Sequence, residues 1–336
     1  MTNIIAVNIK QGGGLILLKL LITRLINQKQ KATIHVDQNI NFNEYKLNNV
    51  VEFKYYNNFL SKFIVFGKSI PNALYFGNIP PFFTRAKNKT LYFHNPFYSK
   101  TYRYLFKNGF YKFICYKIYV FFFIKNVNTV FVQTNTLLKS FNKEFGVVPE
   151  LMPYYEDLSI YANNKKSKIY DFSYISLPNA NKNFELFLDS LVLLNLKLKR
   201  KIKIVLTIPN DNFILIKKIK KLDNSNIEII NLGKISKEKV IEVLNSTETL
   251  VFPSLIETFG LPLVEACQLG AFVICSDLPY TYDVIIPSAT FDPYSKDDIA
   301  NTMFMSLETR LKKPKIIIEN KIEELIKKLN NEFRNI

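Results

Sequence analysis

Two glutamates, Glu257 and Glu265, stand eight residues apart in the string PSLIETFGLPLVEACQLGA, Pro253 to Ala271. Two carboxylates on either side of a Gly-Leu-Pro turn can accept hydrogen bonds from sugar hydroxyls. The neighbouring residues say what must hold them. Thr249 to Phe252 (TLVF) is a β-rich apolar run that Pro253 ends. Gly260 frees the backbone, and Pro262 fits the first helical position, where its missing N–H costs nothing. LVEACQL then continues as a short helix, with Gly270 suited to its C-terminal cap. Glu265 therefore falls about one turn inside a helix whose N-terminal amides point at the loop carrying Glu257. Such an amide cluster attracts phosphate.

Other residues could serve the same chemistry. Gly12-Gly13-Gly14 follows the first apolar run and opens a helix, where glycines let backbone amides approach an anion. The run is not G-x-G-x-x-G, so a dinucleotide fingerprint is absent. Lys182-Asn183 sits in ISLPNANKNFELFLDSL at an expected helix start, where the macrodipole disfavours a lysine unless an anion is bound nearby. His94 ends the strand LYFHN, whereas His35 inside TIHV belongs to packing. Asp277 in CSDLPY reads first as a loop cap.

The fuller string P-S-x-x-E-x-F-G-L-P-x-x-E-A resembles the E-x7-E signature of the retaining, nucleotide-sugar-dependent glycosyltransferases of the GT-B fold, most closely family GT4. The resemblance is specific over roughly 170–290 and only architectural before that. It implies α/β architecture, GT-B, with two Rossmann-like domains facing a cleft, and transfer of a sugar from a UDP- or GDP-sugar with retention. It assigns Glu257 to hydroxyls of the transferred sugar and Glu265 to ribose hydroxyls. Lys182, with Asn183, falls to the diphosphate, and so do the loop amides around Phe259, Gly260 and Leu261. Gly233 and Lys234, in the loop Leu232 to Ser236, would contact the nucleotide base, and Gly13 and Gly14 the donor phosphates or acceptor. The family often has a histidine where His94 stands, close to the transferred sugar, which sets it beside Glu257 and Lys182 as a catalytic candidate without the role of base. Where the family usually has an arginine six residues before the lysine, this chain has Ser176. The second phosphate charge is thereby left without an assigned cation. No D-x-D element in a metal-binding context occurs, in keeping with a metal-independent, cofactor-free enzyme.

The rest of the chain alternates short apolar runs with helical stretches, as parallel sheets flanked by helices do. Strands are expected at Ile4–Ile9, Thr33–Val36, Ala73–Phe76, Thr90–Phe93 and Thr129–Gln133, with a helix from Asn135 to Phe145 ending at Gly146. A polar, Pro-containing stretch over 149–168 reads as the linker. A second series follows, with strands at Tyr170–Ile175, Lys203–Ile208, Ile227–Ile230, Thr249–Phe252 and Phe272–Cys275. Helices are expected between them at Lys182–Leu198, Phe213–Lys221 and Lys237–Leu244. The amphipathic stretch Ile317–Phe333 reads as a last helix. The expected domains are 1–160 for acceptor binding, 168–312 for the nucleotide sugar, and 313–336 as a C-terminal helix.

A chain of 336 residues with 48% apolar content supports two such cores. Its net charge of +17 is unevenly spread, since residues 1–168 carry 23 Lys/Arg and 7 Asp/Glu. Between Phe53 and Lys143 there are 14 basic residues and no acidic one, and Tyr92 to Phe123 holds 15 Phe and Tyr. Basic groups interleaved with aromatic rings suit an anionic membrane surface. Single-stranded nucleic acid and a buried aromatic helix with solvated lysines are the competing readings. The basic aromatic region 92–125 is accordingly expected to meet an anionic membrane surface and a lipid-linked glycan acceptor, with nucleic acid not a partner. No stretch reads as membrane-spanning, since Tyr116–Ile124 falls far short of the ~20 residues needed. Cys115, Cys267 and Cys275 have neither C-x-x-C nor metal-type spacing. These features point to a cytoplasmic protein, peripheral on the inner membrane face, in surface polysaccharide (O-antigen or capsule) assembly. Two rivals stay open: another GT-B enzyme with a soluble acceptor, and a non-catalytic membrane- or nucleic-acid-binding protein on the same scaffold.

Overall fold

A computed structural model describes residues 2–45, 47–67, 70, 72–95, 110–162, 167–222 and 226–331. The chain divides into two compact units, one of residues 1–156 with 319–336 and one of residues 157–318.

The first unit is built on β1 (Thr2–Ile5), β2 (Ala32–Asp37), β3 (Val51–Tyr56), β4 (Asn72–Phe76), β5 (Asn88–Phe93), β6 (Thr129–Val132) and β7 (Glu150–Leu151). They pair in the order β3-β2-β1-β4-β5-β6-β7, every pair parallel. β1 and β4 are buried along their whole length, as strands covered on both faces must be. The order reverses between β1 and β4, and it is at such a switch point that the carboxyl ends of strands open a crevice. α1 (Gly12–Asn27) follows β1 and buries Leu17, Leu18, Leu21, Ile22 and Leu25. α2 (Phe59–Gly67), α3 (Phe110–Phe123) and α4 (Asn135–Phe145) share a separate core that includes Val65, Phe66, Leu91, Phe93, Val120, Ile124 and Phe141. Thr134 caps α4 and Gly146 closes it at φ 65°, as its sequence implies. β3 and α2 were not anticipated. β3 is an edge strand of mixed exposure, and its VEFKYY lacks the continuous apolar run of the central strands.

The second unit repeats the plan with β8 (Tyr170–Tyr174), β9 (Ile202–Leu206), β10 (Ile227–Asn231), β11 (Thr247–Phe252), β12 (Phe272–Ser276) and β14 (Ala289–Phe291). Their order is β10-β9-β8-β11-β12-β14, again all parallel. Its helices are α5 (Phe184–Asn195), α6 (Phe213–Leu222), α7 (Lys237–Asn245), α8 (Leu261–Gln268), α9 (Pro279–Val284) and α10 (Lys296–Glu308). A small antiparallel ribbon joins β13 (Ile285–Ile286) to β15 (Lys315–Ile316).

The last helix, α11 (Ile322–Asn331), begins after Ile317 and is grouped with the first unit. Ile322, Leu325, Ile326 and Leu329 are all buried, so the stripe that made the stretch look helical also requires a core to cover it. Asn320 fastens the approach through Tyr155 O at 2.7 Å, and Lys321 N donates to Pro153 O at 2.8 Å. Arg24 of α1 and Gln28, just after its end, both reach Glu323.

Candidate nucleotide-sugar site

In the second unit β11 runs buried between β8 and β12, then gives way to a loop and α8. Gly260 turns that loop at φ 75°, and a side chain there would meet Leu263 Cδ1 at 3.0 Å. Pro262 occupies the first turn of α8, and Gly270 follows the helix at φ 77°. Glu257 lies on the loop and Glu265 inside the helix, as the residue types require.

Glu257 is neutralised from another strand. Lys182, on the loop after β8, forms an ion pair with Glu257 Oε1, both side chains being more than four-fifths buried. Ser254 Oγ donates to the same oxygen at 2.6 Å. The loop is braced by main-chain contacts, with Leu255 N donating to Asn181 O at 2.7 Å and Tyr280 Oη to Ser254 O at 2.8 Å. Tyr174 Oη donates to Lys182 O. Burial, and after it the charge of Glu257, pushes the Tyr174 and Tyr280 phenols well above their usual range, so both stay donors. The Lys182 ammonium also lies 5.3 Å from the centre of the Phe252 ring.

The sequence places Lys182 at the start of a helix. It actually ends a short 3-10 turn, Ala180–Lys182, and α5 begins at Phe184 after Asn183 in a left-handed conformation (φ 54°). The anion that the lysine's position demands is supplied internally, by Glu257. Asn183 donates its amide to Pro293 O at 2.7 Å, and Ser176 is tied to Thr207 through both its N–H (2.9 Å) and its carbonyl (3.0 Å).

Glu265 is held in the same way. Lys237 Nζ donates to Glu265 Oε1 at 2.6 Å, and the carboxylate side chain is only 11% exposed. Lys237 is the first residue of α7, capped by Ser236. Sequence reasoning missed it, although the macrodipole argument applied to Lys182 holds equally for a lysine opening α7. Before it, Gly233 turns at φ 66° with open space where a side chain would lie, and Lys234 is exposed. Phe259 is buried, its ring part of the core, and Leu261 is half-buried. Asp277 accepts from Tyr282 Oη at 2.6 Å, the loop role its sequence suggests. The loops after β8, β10 and β11 thus bring Lys182, Lys237, Glu257 and Glu265 to the carboxyl edge of one parallel sheet, where α/β sheets bind ligands.

In the first unit Gly14 and His94 are in contact range: a Cβ on Gly14 would lie 2.8 Å from His94 Nε2. Gly13 has no atom within 4 Å of such a position. Asn78 accepts from His94 N at 2.5 Å and sets its own Nδ2 3.3 Å from Nε2. An amide nitrogen only donates, so Nε2 accepts and the ring is neutral. Burial drives the imidazole down to about 4. Among the described residues no group of three or more His, Cys, Asp and Glu is arranged to hold a metal ion.

Residues 159–324 match the model of the family described as Glycosyl transferases group 1. The chain is similar to the group 1 glycosyltransferases over just under half of its length. A stretch of 84 residues is 34% identical to the serotype-specific mannosyltransferase WbdA of Escherichia coli, covering 25% of this chain and 10% of that protein. A glycosyltransferase structure from Rickettsia africae superposes with TM-score 0.74 at 13% identity, covering 100% of this chain and 99% of that one. Anabaena HepE in complex with UDP-glucose gives TM-score 0.67 at 11% identity, covering 91% and 89%. The fold is GT-B, and Glu257 and Glu265, in the loop and helix described above, fall within the matched residues.

Proposed function

We propose that the chain is a glycosyltransferase that moves a sugar, with retention, from a nucleotide-diphospho donor to a lipid-linked glycan in surface polysaccharide synthesis. The observation that carries this reading is the pairing of each glutamate of the E-x7-E string with a lysine from another loop of the same sheet edge. Without donor, Lys182 and Glu257 satisfy each other. With donor, the diphosphate takes over the Lys182 ammonium and the N-terminal amides of α8, and Glu257 turns to hydroxyls of the sugar. Glu265, oriented by Lys237, accepts from the ribose hydroxyls. As the bond from the anomeric carbon to the diphosphate oxygen breaks, the acceptor hydroxyl bonds to that carbon from the same face, its proton passes to the departing diphosphate, and negative charge grows on the leaving group. A fixed cation and oriented amides stabilise that charge without reorganising. Neither carboxylate needs to exchange a proton with the glycosidic oxygen, unlike the acid–base pair of a glycosidase.

The serotype-specific naming of the E. coli mannosyltransferase supports a polysaccharide product, and the HepE complex supports a nucleotide sugar as donor. The acceptor belongs with the first unit, whose basic, aromatic character suits a glycan carried on a lipid diphosphate.

The test is the thermal stability of the purified protein with UDP, GDP and their common sugars, followed by transfer assays with the stabilising donor. A ligand at ~100 times its Kd adds about 2.7 kcal/mol, a shift of several degrees. One nucleotide should raise Tm, and Glu265→Ala should abolish the rise. Glu257→Gln should keep nucleotide binding and lose at least ~100-fold in turnover with the sugar nucleotide. Stabilisation by oligonucleotides but by no nucleotide sugar would overturn the reading.

A further inference from the structure

We propose that the face of the first unit formed by α2, the segment 78–87 and α3 docks on an anionic phospholipid surface. This deepens the proposed function, because it brings the enzyme to the surface where a lipid-linked acceptor resides.

Both helices bury one side in the same core and leave an apolar side uncovered. α2 turns Val65 and Phe66 inward, while Leu60 (65% exposed) and Ile64 (51%) lie one turn apart on its outer side. α3 turns Val120 inward, while Ile118 (50%), Phe121 (54%) and Phe122 (65%) form an i, i+3, i+4 stripe outside. The segment between the helices joins them into one surface. Tyr119 Oη donates to Pro80 O at 3.0 Å, and Asn126 Nδ2 to Pro81 O and Phe82 O, both at 2.9 Å. Phe83, 47% exposed, lies beside Gly67 at the end of α2, where an added Cβ would be 3.5 Å from its ring.

The charges of the segment 78–87 and of the turn after α3 have one sign. Arg85, Lys87 and Lys125 are exposed, and the Arg85 guanidinium lies 5.6 Å from the centre of the Phe83 ring. No acidic residue occurs between Phe53 and Lys143, and the next one, Glu144, is taken by Lys117. Residues 96–109, the middle of the basic aromatic region, lie outside the described residues, so the surface stands on α2, Phe83 and the second half of α3.

Three occupants compete for an apolar face rimmed by cations. A second copy of the chain would set positive charge against positive charge across a two-fold interface. Single-stranded nucleic acid meets the charge, but bases stack on rings, and Leu60, Ile64 and Ile118 offer none. An anionic bilayer meets both features: phosphates take the Lys and Arg groups while aliphatic and phenyl side chains enter the headgroup–acyl boundary. Among the described residues no helix is long and apolar enough to cross a membrane, so the contact is in the plane of the surface.

The test is co-sedimentation of the full chain with vesicles of phosphatidylcholine alone and of phosphatidylcholine mixed with phosphatidylglycerol. The chain should sediment with the mixed vesicles and be released as salt rises. Phe121→Ser with Phe122→Ser should lower the partition coefficient ~10-fold or more, and Arg85→Glu with Lys125→Glu should do so independently. These residues are exposed, so both variants should keep the wild-type Tm, and both should keep the nucleotide-induced rise. Loss of that rise in the wild type would sink the donor reading and leave docking untouched. Equal partition into neutral vesicles, or none into either, would overturn docking. So would a dimer or an oligonucleotide complex that the Phe121/Phe122 variant abolishes.

Discussion

Lys237 Nζ reaches Glu265 Oε1 at 2.6 Å, joining the first residue of α7 to a carboxylate one turn into α8. The lysine stands at the positive end of its own helix and is disfavoured there unless an anion is close. Glu265 supplies the anion, and Lys237 holds a largely buried carboxylate in place. If Glu265 takes the ribose, Glu265→Gln should weaken UDP or GDP binding ~10- to 100-fold, the cost of one charged hydrogen-bonding partner. Lys237→Met should weaken it less, and the double variant should resemble Glu265→Gln alone. Calorimetric titration of the four proteins decides this. A loss from Lys237→Met larger than that from Glu265→Gln would mean that the lysine itself meets the ligand.

The strand–loop–helix around the two glutamates was legible because Pro253, Gly260, Pro262 and Gly270 each have one economical use at their positions. The parallel sheets were legible in their central strands, whose apolar runs are continuous, and lost at the edge, where the VEFKYY of β3 mixes charges into the run. The pairing of Lys182 with Glu257 spans 75 residues of sequence, and no local pattern encodes it. Lys182 announced the need for an anion but not which one. Lys237 made the same announcement in a G-K-I-S-K loop whose glycine drew the attention, and only the packed sheet edge shows Glu265 beside it.

Adjacent glycines at the start of α1 should respond in opposite directions to the same substitution. Gly13 has ordinary backbone dihedrals and open space above it, so Gly13→Ala should add about 0.5–1 kcal/mol from helix propensity and a less flexible unfolded chain. At Gly14 the new methyl would lie 2.8 Å from His94 Nε2 and 3.2 Å from Ile9 Cδ1. His94 cannot yield freely, because Phe76 and Tyr92 pack against its ring and Asn78 holds its main chain. Gly14→Ala should therefore cost about 1–3 kcal/mol despite the same propensity gain. Urea unfolding of both variants checks the contrast, and adding His94→Ala should recover part of the Gly14→Ala loss. Destabilisation of similar size in both would place the effect in the helix start rather than in the imidazole.

His94 should make stability fall with acid over a defined window. Its imidazole titrates at about 4 in the folded chain because burial disfavours the cation, whereas an unfolded histidine titrates near 6.5. Between those values the unfolded chain binds more protons, so the slope of unfolding free energy against pH is positive and stability is lost as pH drops. The stabilisation is complete above the unfolded value and gone below the folded one, an effect on the order of 2 kcal/mol for a partly solvated ring. Asp37, whose carboxyl lies below its ordinary value through Lys62 and Asn39 despite the opposing effect of burial, loses its contribution only in a lower window. Urea midpoints for wild type and His94→Gln from pH 7 to pH 4 separate the two. The wild-type curve should fall more steeply, and the glutamine variant should retain more stability at pH 5. Parallel curves would mean that the native imidazole is protonated as readily as a solvated one, and His94 could then act as a cation near neutral pH rather than as a neutral hydrogen-bonding ring.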